Sequence, residues 1–477
     1  MSETATSTRV HAFTDDALGR EDATGVAERI RSGEISAREA VDAAIERVAS
    51  MGELGAVAHT DDRRARRRAD ALGVGGRGVF HGVPTAVKEN IYAAGFPLTM
   101  GSPAVPVRAQ DHDGAVAAQL LSTGAVPVAS TTCPPFGWTA TTERPGGLAT
   151  RNPWDRRYSS GGSSGGTAAL VASGALPFAH GNDGGGSIRI PAAACGLVGL
   201  KATRGRMAAD PSTKDMPINI VVDGVLTRTV RDTARYLAAA EEHRAPKALE
   251  RVGLVEGPGE RRVRVGVLID SPLAPATDRE TAAAVRGVAD LLSTLGHDVG
   301  EHDLGVPAAF KEDFLHYWSM LAFGIHRRGR AMFGPDFDTA ALDPFTLGLS
   351  RHFVRHLPRL PLTLARVAAA GPVYDGRLGD VDVMLTPVLT HTTPPIGYLD
   401  ADLDFDTHLE RVSAYVGFTP LHNVAGAPAI SLPLGRTDDG RPVGVMLQGR
   451  RGAERLLLEL AFELEAAAPF ARIDEEP

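Results

Sequence analysis

Ser187 follows three consecutive glycines, and this arrangement makes it the first candidate for chemistry. In "GNDGGGSIRIP", residues 181–191, Gly184, Gly185 and Gly186 come directly before it. Ordering a glycine costs more backbone entropy than ordering any other residue, so a glycine triplet needs a reason. The pattern predicts a tight turn into a short helix, where the N–H groups of these four residues could hold the negative oxygen formed in acyl transfer. A turn required only for close packing is the alternative that the glycines alone leave open.

A serine nucleophile needs a base, and the lysines of this chain indicate one. The sequence has 45 arginines but five lysines, which are Lys88, Lys201, Lys214, Lys247 and Lys311. Lys88 ends the apolar stretch "GVPTAVKEN", where a lysine indicates a need for a cation that can lose its proton, as arginine does not. As a base Lys88 must be neutral, so its pKa must fall by about 3 units from about 10.4. A salt-bridged strand end is the alternative.

Three further arrangements compete with this pair. His180 is closer to Ser187 in sequence, but it lies on the predicted strand "LPFAH" and need not face the serine. Ser163 is central in "GGSSG", the pattern of a nucleophile elbow, but an elbow needs a buried strand upstream, and "TRNPWDRRYS" is polar and contains a proline. His352 and His356 have the spacing of zinc ligands on a helix but lack the glutamate of H-E-x-x-H, so we interpret them as surface histidines.

The composition favours a soluble cytoplasmic enzyme that binds neither nucleic acid nor membranes. The chain has 477 residues, of which 43% are hydrophobic and 23% charged, and a net charge of −8. We interpret the dense basic run "RRARRR", at 63–68, as a solvated helix face. Cys133 and Cys195 are too few for a disulfide framework, and we expect them to pack as small apolar side chains. Neither a secretory signal nor 18 uninterrupted apolar residues are found.

Strand and helix patterns alternate along most of the chain, which predicts an α/β layer fold. "GVPTAVKENI" and "GAVPVAS" are typical of short buried strands. Later core strands are predicted at 262–270, 381–387, 427–433 and 442–449. Helices are predicted over the first 70 residues and at 113–122, 278–294 and 453–466. Gly33 should end one N-terminal helix, and Ser36 and Glu39 should form the capping box of the next.

These segments together resemble the amidase signature family over nearly the whole chain, most weakly at 235–380. The N-terminal "IRSGEISAREAVDAAIERV" also fits. The most specific matches are "GVPTAVKEN", "TRNPWD", "SSGGSSGGTAALVASG", "GNDGGGSIRIPAAACGLVGLKATRGR", "VLTRTVRD", "FTPLHNVAGAPAISLPLG" and "GRPVGVMLQGRRGAERLLLELAFELE". Within the family, the chain is most similar to the 6-aminohexanoate-cyclic-dimer hydrolase branch.

The resemblance implies one domain over 1–477, with a large mixed β-sheet core covered by helices on both faces. Its parts would be a helical N-terminal part at 1–75, a signature core at 80–207, a variable substrate cover at 300–376 and C-terminal core strands and a helix at 381–467. It also implies a Ser–cisSer–Lys triad, in which Ser187 is the nucleophile, Ser163 the middle serine and neutral Lys88 the base. The N–H groups of Gly184–Ser187 would form the oxyanion hole, the peptide bond before Ser163 would be cis, and no metal or organic cofactor would be needed.

The family pattern also gives supporting positions. Ser164, Asp183 and Arg189 would hold the loop through hydrogen bonds and an ion pair rather than break bonds. Asn182 stands where many members have threonine, so the contact made at that position is the one that the resemblance does not specify.

Residues 134–145 and 305–350 are expected to shape the acyl pocket. Trp138, Trp318 and Phe418 would be apolar walls, with ordinary core packing as the alternative for each. The substrate would be a small-molecule amide, either a lactam or a small linear amide. The sequence leaves open whether the chain forms a homodimer.

Two other functions carry the same signature. A glutamine-amidohydrolase subunit of a tRNA-dependent amidotransferase would need partner subunits, and the divergent region 305–350 argues against it. A catalytically dead scaffold is disfavoured because all three triad positions and the glycine loop are present.

Overall fold

Helices and strands alternate along the chain, in a computed structural model that describes residues 9–73, 76–214 and 216–475. The strands are β1 (Val57–Thr60), β2 (Pro84–Lys88), β3 (Val126–Thr131), β4 (Glu143–Arg144), β5 (Leu148–Ala149), β6 (Arg151–Asn152), β7 (Asp155–Ser159), β8 (Phe178–Asp183), β9 (Val198–Lys201), β10 (Val222–Thr227), β11 (Arg264–Val267), β12 (Asp298–Glu301), β13 (Val383–Pro387), β14 (Ala429–Arg436) and β15 (Pro442–Gly449). The helices are α1 (Ala23–Ser32), α2 (Ala37–Ser50), α3 (Asp62–Ala71), α4 (Ala115–Ser122), α5 (Gly165–Ala172), α6 (Arg189–Cys195), α7 (Pro211–Lys214), α8 (Val230–His243), α9 (Arg279–Thr294), α10 (Ala309–Phe333), α11 (Pro344–His356), α12 (Leu360–Arg377), α13 (Phe405–Tyr415), α14 (Pro420–Ala425) and α15 (Glu454–Ala467).

The core is one eight-stranded mixed sheet in the order β12-β11-β13-β15-β14-β9-β10-β8. β11 is parallel to β12 and β13, and the other neighbouring strands are antiparallel. Successive side chains of a strand point to opposite faces. On β15, Leu447 belongs to the same apolar cluster as Leu457 of α15, whereas Met446 packs in another cluster with Ala193 of α6. The predicted large mixed sheet with helices on both faces is confirmed.

Lys88 lies on a different sheet from the strand that leads into the glycine triplet. β2 pairs in parallel with β3, with Lys88 opposite Thr131, and β1 pairs with β3 on its other side. The small sheet meets the large one where the Thr85 hydroxyl donates to the Phe178 carbonyl oxygen of β8 at 3.1 Å. The prediction of helix throughout the first 70 residues is wrong at β1, because pairing with β3 favours an extended backbone there.

Local sequence signals give the helix ends that they predict. Ser36 and Glu39 form the capping box of α2, and Gly33 ends α1 in the left-handed conformation. α6 ends in the same way at Gly196, where φ is 75°. "TRNPWDRRYS" contributes β6 and β7 to a two-stranded sheet of its own, so Ser163 is not preceded by the core strand of a nucleophile elbow.

The cysteines and the basic run have the environments that the sequence predicts. Cys133 and Cys195 are free and buried, as expected of small apolar side chains. The basic run lies mainly on α3, where Arg63 and Arg67 are exposed and Arg66 pairs with Asp42, as expected of a solvated face. Residues 300–376, in which a cover over the core was expected, contain α10, α11 and α12. In the part of the chain that the structure describes, no helix is long and apolar enough to cross a membrane.

Candidate active site

Three oxygen atoms from two other segments of the chain converge on the amine of Lys88. The lysine is fully buried, and its Nζ lies 2.7 Å from Ser163 Oγ, 3.1 Å from Ser164 Oγ and 2.8 Å from Asn182 Oδ1. The serines directly precede α5, and Asn182 is the second-last residue of β8. This part of the site therefore forms where the end of β2, the residues before α5 and the end of β8 lie close together.

Burial lowers the pKa of Lys88 to about 8, because the charged amine loses its hydration in the interior. The negative fields of Asp223, Asp183 and Glu89 oppose this change without cancelling it. The neutral amine is therefore accessible at mildly alkaline pH, as a lysine base requires.

A second lysine shows that scarcity alone does not identify a base. Lys201 on β9 is also fully buried, and burial, together with the charge of Arg189, lowers its pKa to about 7. Its Nζ donates to the carbonyl oxygen of Ala202 at 3.0 Å. The contact with Ser163, rather than rarity, distinguishes Lys88.

His180 is engaged on both sides of its ring. Its Nδ1 lies 3.3 Å from the backbone nitrogen of Lys88, and its Nε2 lies 3.2 Å from Asp223 Oδ1. The ring is fully buried between these partners, so it does not serve as a base for Ser187 in this arrangement.

Ser163 lies in a turn that is closely packed on all sides. The peptide bond between Gly162 and Ser163 is cis, as the resemblance implies. A Cβ atom at Gly162 would lie 2.6 Å from the carbonyl oxygen of Thr141, and one at Gly165 would overlap Thr142 Oγ1. A larger residue at either position would displace the turn that presents Ser163 to Lys88.

A fully buried ion pair holds the glycine loop. Arg189 Nε donates to Asp183 Oδ2 at 2.9 Å, and Nη2 donates to Oδ1 at 2.9 Å. Burial alone would raise the pKa of Asp183, but the Arg189 charge and hydrogen bonds outweigh it and hold the pKa well below its ordinary value. Asp183 is therefore ionised throughout the neutral range, and its carboxylate accepts from loop N–H groups as an anion. This agrees with the supporting role expected for both residues.

A distant C-terminal segment completes the support of the loop. Asn423 Nδ2 donates to the backbone oxygen of Asp183 at 2.8 Å and to Oδ1 at 2.9 Å, and its own Oδ1 accepts from Arg189 Nη2 at 2.7 Å. Thr419 Oγ1 donates to the carbonyl oxygen of Gly185 at 2.6 Å. Sequence reasoning missed both residues, although "FTPLHNVAGAPAISLPLG" belongs to the matching segments and could have indicated them.

One of the four amides predicted to form the oxyanion hole is already occupied. The Gly186 N–H donates to Asp183 Oδ1 at 2.7 Å, so this amide supports the loop and is not free for a substrate oxygen. In the described part of the chain, the N–H groups of Gly184, Gly185 and Ser187 have no acceptor. Gly184, Gly185 and Ser187 are therefore the free donors of the predicted oxyanion hole, which stays a prediction.

The segment around Ser163 contacts the chain shortly before Ser187 and again shortly after it. A Cβ atom at Gly161 would lie 2.8 Å from Pro191 Cα, and Ser164 Oγ donates to a carbonyl oxygen of β8 at 3.3 Å. These contacts fall on either side of Ser187 along the chain, and its exposed fraction is 8%. The Ser187 hydroxyl has no hydrogen-bond partner within the described residues, so its direct link to Ser163 stays a prediction.

The three predicted pocket residues belong to one apolar cluster, in which Phe418 is buried and Trp138 and Trp318 are partly buried. The rings of Trp138 and Trp318 are 6.3 Å apart. Gly137 lies against Ser163, with 3.1 Å from its hypothetical Cβ to Oγ. This wall therefore begins beside Ser163.

The other end of the same wall reaches the glycine loop. The rings of Trp318 and Phe314, both on α10, are 5.9 Å apart. A Cβ atom at Gly185 would lie 3.3 Å from Phe314 Cζ. The aromatic residues thus connect the Ser163 turn with the loop that carries Ser187, where an acyl group would bind.

The His352 and His356 rings are 4.3 Å apart on α11. Burial lowers the pKa of His352 to about 4. In the described residues, no group of three or more His, Cys, Asp or Glu side chains could hold a metal ion.

The chain is similar to amidases over almost all of its length. The sequence profile of the family described as Amidase matches residues 39–458. AmiC of Mycobacterium tuberculosis, named a provisional amidase, is 46% identical over 467 residues, covering 98% of this chain and 98% of that protein. The 6-aminohexanoate-cyclic-dimer hydrolase of Paenarthrobacter ureafaciens is 37% identical over 486 residues, covering 94% of this chain and 95% of that protein.

The fold shows the same relationship. A solved structure of 6-aminohexanoate cyclic dimer hydrolase matches with a TM-score of 0.84 and 31% identity, covering 97% of this chain and 99% of that one. The segments that carry Lys88, Ser163 and Ser187 all fall within the family match.

We expect Gly186→Ala to lower the free energy of unfolding by about 2 kcal/mol or more, because strain and overpacking act together there. Its φ is 134°, and a Cβ atom would overlap Thr419 Oγ1. Gly184→Ala is the matched control, since its Cβ would meet only Val221 Cγ2 at 3.3 Å. Urea unfolding followed by circular dichroism measures both, and equal losses would contradict the requirement for glycine at 186.

Proposed function

This chain belongs to the amidase signature family and is an amide hydrolase, and we propose that it acts through an acyl-enzyme on Ser187 with Ser163 and Lys88 as its proton relay. The observation that carries the proposal is the 2.7 Å contact between the fully buried Lys88 amine and Ser163 Oγ. A buried lysine with a lowered pKa beside a serine is the arrangement that nucleophile activation requires.

The first half of the reaction forms the acyl-enzyme. Neutral Lys88 accepts the proton of Ser163 while Ser163 accepts the proton of Ser187, and Ser187 Oγ bonds to the amide carbon. The carbonyl electron pair moves to oxygen, where the free N–H groups of Gly184, Gly185 and Ser187 are the available donors. The Ser187 hydroxyl must turn to Ser163 for this step, which agrees with the looser hydrogen bonds of sites without substrate.

The second half releases both products. The relay returns the proton through Ser163 to the amide nitrogen, the C–N bond breaks and the amine leaves. Water then gives a proton to the same relay and attacks the ester carbon. Collapse of this second intermediate breaks the bond to Ser187 Oγ, which regains its proton, and releases the carboxylic acid.

We infer that the substrate is a neutral aliphatic amide, cyclic or linear. The wall formed by Trp138, Trp318 and Phe418 offers apolar surface to the acyl group. Trp138 Nε1 is buried without an acceptor among the described residues, and a second carbonyl oxygen of a substrate would satisfy it once the indole turns towards that substrate. The similarity to 6-aminohexanoate-cyclic-dimer hydrolase supports the same substrate class. Glutamine, with two charges beside its amide, finds no partner in these three side chains.

A fluorophosphonate should label Ser187 of the purified protein, releasing fluoride and leaving one phosphonyl adduct, as measured by intact and peptide mass spectrometry. Ser187→Ala should abolish the adduct, and Lys88→Ala should slow its formation by about 100-fold or more because the base is lost. Ser173→Ala is the control, since this buried hydroxyl bonds Leu170 O, away from the site. An unlabelled wild-type protein would favour a scaffold without activity.

The rate of this labelling should depend on the protonation of Lys88. Since the neutral amine is the active form and its pKa is about 8, the rate should fall about tenfold per pH unit below pH 8 and level off above it. The profile is measured by quenching the labelling reaction after fixed times at pH 5–10 and quantifying the Ser187 adduct. A flat profile would remove a titrating lysine from the mechanism.

A panel of amides should separate the two remaining substrate classes. The cyclic dimer of 6-aminohexanoate and small linear amides should exceed glutamine in kcat/KM by about 100-fold or more, because charges unpaired in an apolar pocket are costly. Released amine or ammonia is the readout. Faster turnover of glutamine would instead support an amidotransferase subunit.

Trp138→Phe is the matched variant for this panel. It keeps an aromatic wall but removes the unpartnered N–H, so it should lower kcat/KM by about fivefold for a substrate with a second carbonyl, and not for a simple alkyl amide. Equal effects on both substrates would mean that Trp138 acts only through packing.

A further inference from the structure

We propose that Asn182 and Asn90 are positioning residues that hold the Lys88 amine with its lone pair directed at Ser163. This inference rests on the proposed role of Lys88 as the base. It also gives a function to Asn182, whose contact the resemblance does not specify.

A neutral lysine amine has two N–H groups and one lone pair. Asn182 Oδ1 can only accept, and it lies 2.8 Å from Nζ. Ser164 Oγ lies 3.1 Å from Nζ and donates its own proton to the backbone oxygen of Asn182 at 3.3 Å. Ser164 therefore meets Lys88 as an acceptor, and both N–H groups of the amine have partners.

The third direction on the nitrogen then points to Ser163. Its Oγ lies 2.7 Å from Nζ, and with both N–H groups engaged elsewhere, the lone pair of neutral Lys88 is what faces this hydroxyl. A free amine could rotate about its Cε–Nζ bond and present an N–H to Ser163, which would block proton acceptance. The two acceptors prevent this rotation.

Asn90 fixes the orientation of the Asn182 amide. Asn90 Nδ2 donates to Asn182 Oδ1 at 3.3 Å, and Asn182 Nδ2 donates back to Asn90 Oδ1 at 3.2 Å. If the Asn182 amide alone turned over, its NH₂ group would face the amine of Lys88 and the NH₂ group of Asn90, so donors would oppose donors. The reciprocal pair thus opposes a turn of the Asn182 amide by itself.

The charges around Lys88 set the background for any effect of pH. Glu89 follows it at the end of β2, Asp183 ends β8 and is paired with Arg189, and Asp223 lies on β10. The buried Cys133 thiol after β3 stays neutral, because burial raises its pKa. His180 of β8 faces its backbone N–H. The hydrogen-bond partners of the amine itself are all uncharged, so a carboxylate at 182 would introduce the first charge in direct contact.

Asn182→Asp provides the test, with the rate of Ser187 labelling by a fluorophosphonate as the readout. A carboxylate within hydrogen-bond distance favours the protonated amine, so the acid limb of the profile should move to higher pH by about one unit or more. At high pH, where the amine is again neutral, the rate should recover to within about tenfold of wild type. A uniform loss of rate with an unmoved limb would overturn the proposal.

Asn182→Leu removes the acceptor without adding charge. The maximal inactivation rate should fall by about tenfold or more at every pH, because the amine is no longer held in orientation, while the probe concentration for half-saturation stays unchanged. Asn219→Asp is the charge control: Asn219 Oδ1 accepts from the Val221 N–H at 2.8 Å, which an aspartate preserves. The acid limb of the pH profile of Asn219→Asp should not move. A shift of this limb equal to that of Asn182→Asp would also overturn the proposal.

The outcomes separate this inference from the proposed function. If wild type is not labelled at Ser187 at any pH, the proposed function fails. If wild type is labelled with an acid limb near pH 8 and the Asn182→Asp limb stays in place, only the positioning role fails. Should Asn182→Asp not fold, Asn90→Asp replaces it: the limb must still move to higher pH, by a smaller amount, and an unmoved limb refutes the role.

Discussion

The rest of the site depends on one constraint: the amine of Lys88, at the end of β2, is buried and loses its hydration. A charged lysine in the interior is unfavourable, and this cost lowers the pKa of Lys88 to about 8, as its proposed role as a base requires. The surrounding oxygens of Ser163, Ser164 and Asn182 provide hydrogen bonds without providing a counter-charge. A salt bridge at the same place would stabilise the fold but would keep the amine protonated, so the alternative of a salt-bridged strand end is incompatible with this environment.

The glycine loop follows the opposite strategy, with a full charge pair buried beside it. Breaking such a pair is costly because a charge is then left without a partner in the interior. Asp183 and Arg189 therefore form a rigid support whose remaining hydrogen-bonding capacity is used by Gly186, Asn423 and the backbone. The two places thus differ chemically, because burial favours the neutral form of Lys88, whereas Asp183 stays ionised beside Arg189.

The sequence predicts the parts of this architecture that depend on local patterns and on resemblance. Local patterns are enough to predict the capping signals, the strand ending at Lys88 and the helix after the glycine turn. The family resemblance predicts that Lys88, Ser163 and Ser187 form one triad. β1 was missed because its pairing with β3 is a long-range contact. For the same reason Asn423 could not be assigned to Asp183, 240 residues away. The occupied Gly186 amide was unpredictable because only the folded loop shows which N–H meets the carboxylate.

The wall of the acyl pocket comes largely from elements that contribute nothing to proton transfer. Phe314 and Trp318 lie on α10, within the stretch where resemblance to the family is weakest, whereas the lysine and both serines come from the earlier, well-matched segments. The α10 part of the proposed wall is thus encoded apart from the proposed proton relay, whereas Trp138 lies between Lys88 and Ser163 in the chain. Substitutions on α10 can therefore change this part of the proposed wall while Lys88, Ser163 and Ser187 stay as they are.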